Sequence, residues 1–167
     1  ALAKKTAHYF EVVSGDDFEG TCEVIEKYNI RSLITAATDK PLLMMSRVAE
    51  KYSLPFFSET TARLSTDKLL MKETFIRNGI PCANGQVVEK VPATFGFPVV
   101  VKPRDNSGSR GVRLCLSESD CEKAIEDALS YSKEKSVLVE EFVEGDEYSV
   151  ESLHFNNESH VIQITEK

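Results

Sequence analysis

Lys102 closes the run Phe97-Pro98-Val99-Val100-Val101, and the residues after it, Asp105 to Gly111, are small and polar with two glycines. A lysine behind three valines has a stem suited to burial and a charged head that must find an anion or reach water. A second apolar segment starts at Val112. Extended run, loop and extended run predict a β-hairpin whose tip can fold over a ligand, with Lys102 beneath it. Loop amides without side-chain bulk can approach phosphate oxygens, and Lys102 and Arg110 bring positive charge. The pattern differs from a Walker loop, which needs a helix start and a Lys-Ser/Thr pair after the last glycine.

Other reactive side chains give weaker signals. Glu140 and Glu141 end an apolar run, and Asp146 and Glu147 sit at a Gly145 turn. On residue type alone, such acids form a solvated face. Glu151, Glu158 and Glu166 lack metal-ligand spacing, and His154 and His160 have no carboxylates arranged around them. The four cysteines (Cys22, Cys82, Cys115 and Cys121) form no CxxC pair. Free thiols in a reducing cytosol are expected. The net charge of −7 over 167 residues argues against a nucleic-acid partner. No apolar run approaches the roughly 20 residues that span a bilayer. A cytoplasmic protein without a membrane partner is the expectation.

These side chains need elements to hold them. His8–Val13, Ser32–Ala37 and Leu54–Phe57 are strand candidates. Between them lie helices with Phe18, Cys22, Ile25 and Tyr28, and with Leu42, Met45, Val48 and Ala49, on one face. Alternating strands and helices predict a parallel α/β unit, and without GxGxxG it is not a dinucleotide site. Thr61–Gly79 is expected to be helical, with Ser65 or Thr66 capping a new segment and Gly79 stopping it. Gln86–Glu89 is a possible strand. Ser117–Tyr131 reads as an amphipathic helix capped by Ser117 or Ser119, the latter with Glu122 as a capping box. Ser136–Val139, Tyr148–His154 and Val161–Thr165 read as strands, with a turn at Asn156-Asn157. Because the sequence stops in mid-sheet, part of a longer protein is expected.

Thr66-Asp67-Lys68, Phe97–Lys102, Ser107-Gly108-Ser109-Arg110-Gly111, and Val139–Val143 with Gly145-Asp146-Glu147 stand in this order along the chain. Together they resemble the ATP-grasp superfamily, with most likeness to its biotin-carboxylase and carbamoyl-phosphate-synthase-like branch and to the L-amino-acid ligases. The resemblance implies an α/β protein: part of a parallel pre-ATP-grasp α/β domain over 1–65, an α+β ATP-grasp N-terminal lobe over 66–135, and the start of a C-terminal lobe over 136–167.

It also implies roles. Lys102 matches the lysine on the α- and β-phosphates, and Lys68 a second phosphate-side lysine. Ser107, Gly108, Ser109, Arg110 and Gly111 match the flexible lid, here leaner in glycine than in biotin carboxylase. Glu140 matches the acid that accepts the adenine amino group, and the backbone around Glu141, Phe142 and Val143 the part that reads the ring edge. Glu147 matches the ribose-binding carboxylate, with Asp146 as a competitor. Implied cofactors are ATP and Mg2+, whose ligands are expected downstream of Lys167. Partners are a carboxylate substrate and a nucleophile, and a homodimer is compatible. The activity implied is carboxylate–amine ligation through an acyl-phosphate, with little turnover from residues 1–167 alone. A non-catalytic nucleotide-binding or regulatory module of the same fold is the alternative.

Overall fold

The computed structural model describes residues 2–35, 38–88, 96–155 and 158–167. Around Lys102, alternation along one strand organises the structure. In β2 (Val99–Pro103), Val99, Val101 and Pro103 are buried, whereas Val100 and Lys102 are half-buried on the other side. β2 pairs antiparallel with β3 (Arg113–Cys115) and with β4 (Val137–Glu141), and β4 pairs antiparallel with β1 (Gly85–Val88). The sheet order is β1-β4-β2-β3. Residues 136–141, expected at the opening of a second lobe, thus supply an inner strand of this sheet. Glu89, the last residue of the strand expected over Gln86–Glu89, lies outside the described residues.

α6 (Glu118–Tyr131) covers one face. Cys121, Ala124, Ile125 and Ala128 recur at helical spacing and pack on Val99, Val101, Cys115, Val137 and Val139. Burying each valine contributes about 1.5–3 kcal/mol, and the alanines let the helix axis come close to the sheet. Ser117 caps the helix by accepting from the Asp120 amide at 3.2 Å. The Asp120 carboxylate accepts in turn from the Leu116 amide. Of the two expected caps, Ser117 serves, and Ser119 lies inside the helix.

The helical stretch expected over Thr61–Gly79, with a new segment opening inside it, forms as two helices, α4 (Glu59–Thr66) and α5 (Lys68–Arg77). Asp67 separates them in an extended conformation and caps α5 by accepting from the amides of Leu69 and Leu70. Ser65 and Thr66, expected as caps, instead donate back to the carbonyls of Thr61 and Ala62. Their hydroxyls satisfy the end of α4, so only the Asp67 carboxylate is free to meet the next amides. Gly79 takes φ +67° and ends the helical segment as expected.

Toward the N-terminus, α1 (Leu2–Thr6) is a short helix that no pattern announced. α2 (Phe18–Tyr28), capped by Asp17, packs on α3 (Leu42–Lys51) through Cys22, Ile25 and Val48. The three expected strands form no ladder among the described residues. Val12 and Ile34 are largely exposed, and the Leu54 amide bonds back to Ala49 at the end of α3. An apolar run becomes a strand only where a neighbouring chain offers its amides and carbonyls. β5 (Tyr148–Phe155) and β6 (Glu158–Glu166) form a separate hairpin with a register shift at Glu151/Ser152 and exposed residues on both faces. Its turn, Asn156-Asn157, lies outside the described residues, as do Ala36 and Ala37.

Candidate functional site

The sheet face away from α6 carries Val100 and Lys102 on β2 and Leu138 and Glu140 on β4, brought side by side by the register. Glu140 is only 7% exposed. One of its carboxylate oxygens accepts from Lys102 and the other lies 3.0 Å from Lys72 Nζ. Lys72, 6% exposed on α5, also donates to the Ala83 carbonyl. Lys68, one turn earlier on α5, donates to the Asn106 carbonyl at the root of the β2–β3 loop. Burial holds the Lys68 ammonium below the ordinary lysine value, and the Lys102 charge lowers it further. Two lysines thus flank one buried carboxylate, and Lys68 stands near enough to Lys102 to feel its charge. The two lysines on Glu140 leave one positive charge in excess, which an anion would relieve.

The loop is tied down at its base and open at its tip. The Asp105 carboxylate accepts from Ser132 Oγ at 2.6 Å and from the amides of Lys133 and Glu134. Asp105, a position where the family's lid could carry glycine, is therefore an anchor. Gly108, Ser109 and Gly111 all have positive φ. Gly108 has open space where a Cβ would stand, whereas a Cβ on Gly111 would meet Tyr131 at 2.8 Å and Pro103 at 2.9 Å. Arg110 folds back onto its own loop, donating to the Ser107 carbonyl and to Asn106 Oδ1. Ser107 is exposed.

Arg104 continues β2 and grips Asp67 in a two-pronged pair, Nε to Oδ1 at 2.8 Å and Nη2 to Oδ2 at 2.7 Å. The Lys68 amide bonds to the Arg104 carbonyl. These contacts fix the start of α5, and hence Lys68 and Lys72, against the strand that carries Lys102. After Glu140 the chain is held by the sheet and by Asn84. The Glu141 carboxylate accepts from the Asn84 amide and side chain, which hold it below the ordinary glutamate value. The Glu141 and Phe142 amides bond to the carbonyls of Asn84 and Pro98. The Val143 amide has no partner among the described residues, and the Phe142 and Val143 side chains are exposed. Glu147 stands apart, 2.5 Å from Lys167 Nζ, with no bond to the lysine cluster among the described residues. Asp146 is exposed beside it.

Residues 69–167, more than half of the chain, match the family described as D-ala D-ala ligase C-terminus. The chain belongs to this ATP-grasp family. A D-alanine–D-alanine ligase of Gloeobacter violaceus is 34% identical over 100 residues, covering 54% of this chain and 32% of that ligase. The L-amino acid ligase of Bacillus licheniformis superposes with a TM-score of 0.77 at 20% identity, over 91% of this chain and 37% of that one. A third likeness, at TM-score 0.70 and 20% identity, is the biotin carboxylase domain dimer of the Hydrogenobacter thermophilus 2-oxoglutarate carboxylase. That structure contains MgADP, ADP and bicarbonate, and the match covers 83% of this chain and 35% of that one. The chain thus spans about a third of the length of each of these proteins. The ATP-grasp resemblance read from the sequence landmarks holds, and the fold is α+β with an antiparallel sheet.

The ATP-grasp sheet brings Lys68, Lys102 and Glu140 together with the loop base, and leaves Glu147 and the loop tip outside that cluster. Lys72 escaped the sequence reasoning. Its signal was the i, i+4 spacing from Lys68, which puts both on one helix face. Magnesium does not fit the described residues. Among the described residues no group of three or more His, Cys, Asp or Glu could hold a metal, and Glu140 is committed to two lysines. No described helix is long and apolar enough to cross a membrane.

Proposed function

We propose that this chain supplies the nucleotide grip of an ATP-dependent ligase that activates a carboxylate as its acyl-phosphate. The observation that carries this reading is the excess of lysine charge at the sheet face, beneath a loop with open space at Gly108. Lys102 and Lys68 hold the phosphate oxygens, and the amides of Ser107 to Gly111 close over them. Glu140 accepts from the 6-amino group of adenine while the Val143 amide donates to the ring edge. Phe142 and Val143 wall the ring, and Glu147 accepts from the ribose hydroxyls. The loop residues and lysines spread the charge of the phosphoryl group as it passes from ATP to the carboxylate oxygen. An amine then attacks the acyl carbon and phosphate leaves. We place the end of the first lobe after Glu141, because β4 lies between β1 and β2. With no described group able to hold magnesium, residues 1–167 alone are expected to bind nucleotide weakly and not to turn over.

Thermal melting with and without ATP tests the grip. Lys102→Ala is expected to abolish an ATP-dependent rise in melting temperature. Lys133→Ala is expected to retain it, because Lys133 contributes only its backbone amide to the Asp105 anchor. An equal response of the two variants overturns the phosphate assignment.

A further inference from the structure

Lys72 has no part in the phosphate grip just described, yet it is among the few buried charged side chains. It is bound at both ends of its reach: Nζ donates to the Ala83 carbonyl and lies 3.0 Å from Glu140 Oε1. The other Glu140 oxygen accepts from Lys102. Lys102 therefore has two claimants, Glu140 and any polyphosphate that enters. Lys72 has one. It is more enclosed than Lys102, with 7% of its side chain exposed against 22%.

We propose that Lys72 is a positioning residue that compensates Glu140 while Lys102 is drawn to phosphate, so that the site selects a 6-amino purine over a 6-oxo purine. This inference rests on the assignment of Glu140 to the purine edge. A carboxylate only accepts hydrogen bonds, so it pairs with an amino group and repels a carbonyl oxygen. A buried acid stripped of its cation takes up a proton, gains a donor, and can then pair with either edge. By holding one oxygen from a fixed point on α5, Lys72 keeps the other side of the carboxylate in one orientation and acceptor-only. Gly85 lies opposite Glu140 on β1, and a Cβ there would meet Glu140 Cγ at 2.6 Å and Lys72 Cε at 3.2 Å. The glycine leaves room for the pair.

The test measures affinities of the full chain for ATP, GTP and inorganic tripolyphosphate by calorimetry. Lys72→Met is expected to lower the ATP-over-GTP preference by about tenfold, the cost of one mismatched buried hydrogen bond, with tripolyphosphate affinity unchanged. Lys102→Ala is expected to weaken ATP, GTP and tripolyphosphate together and keep the preference. Lys72→Arg is expected to restore it. If Lys72→Met does not fold, Lys72→Gln removes the charge while keeping a donor for Ala83, and the same loss of preference is expected. An unchanged preference in a folded, uncharged variant overturns the inference and leaves the phosphate grip standing. Failure of the unmodified chain to bind ATP overturns both.

Discussion

Two hairpins of similar apolar content behave differently in this molecule. In β2–β3, alternate valines are buried under α6, and the opposite face carries Lys102 beside Glu140. In β5–β6, Val150, Leu153, Val161 and Ile164 are all more than half exposed, and the tie at the hairpin base is a surface pair between Glu147 and Lys167. Both are antiparallel pairs whose successive side chains point to opposite faces. The difference is that a helix lies across the first hairpin and nothing in the described residues lies across the second. Alternation specifies a face, and only a covering element turns that face into stabilisation and a fixed site. A lone two-stranded hairpin is marginal in water, whereas strands held in a wider sheet under a helix can position charge.

The largest way to break this contrast is to put a charge in each hairpin. Val101→Asp, at a fully buried position, should destabilise the fold by about 4 kcal/mol or more, since an unpaired carboxylate would enter the core. Val161→Asp, at a residue 63% exposed, should change stability by less than about 0.5 kcal/mol. Urea denaturation followed by far-UV circular dichroism reads both. Similar losses would mean that the second hairpin is packed in solution.

The same contrast explains what could be read from the sequence. The β2–β3 hairpin, α6 and the Lys102 position were legible because an apolar run, a small polar loop and a second apolar run stand next to a helix face of period 3.6. The N-terminal strands were not. Val12 and Ile34 carry strand-forming side chains, but a ladder depends on neighbours that no local pattern records. The Lys68–Lys102 pairing came from a family likeness rather than from spacing. Lys72 looked like an ordinary helix-surface lysine, since its burial depends on β4 arriving 68 residues later with Glu140, an offset given by their numbers. The Asp67 cap was misassigned to Ser65 or Thr66 because residue type cannot show which hydroxyls are already spent on the preceding helix.

A smaller break concerns the loop that the first hairpin carries. Gly111→Ala places a Cβ within 2.8 Å of Tyr131 at φ +74°, so strain and overlap add, and a loss of about 2 kcal/mol is expected. Gly108→Ala, at φ +70° but in open space, should cost about 1 kcal/mol. Thermal melting of the two variants checks the order. A reversal would mean that the loop base, rather than its tip, is the adaptable part.

The smallest effect compares the ties of the two hairpins. Asp67 and Arg104 form a two-pronged, partly buried pair, with side chains 18% and 24% exposed, against 69% and 54% for Glu147 and Lys167. Burial pushes the Asp67 carboxyl up. The Arg104 guanidinium and the amides of Leu70 and Leu69 outweigh it and hold the group below the ordinary aspartate value. Asp67→Asn keeps a capping oxygen and removes the charge, so it isolates the pair, with an expected cost of about 1 kcal/mol at pH 7. Glu147→Gln should cost less than about 0.5 kcal/mol. The sign with pH follows from the lowered value. The unfolded chain binds the Asp67 proton first as pH falls, so the contribution is complete above the ordinary aspartate value near 4 and fades below it. Stability curves of wild type and Asp67→Asn should therefore lie apart at neutral pH and converge as acid protonates Asp67 in the folded state too. A constant separation down to the acid transition would assign the effect to the helix cap and not to the charge pair that ties α5 to the first hairpin.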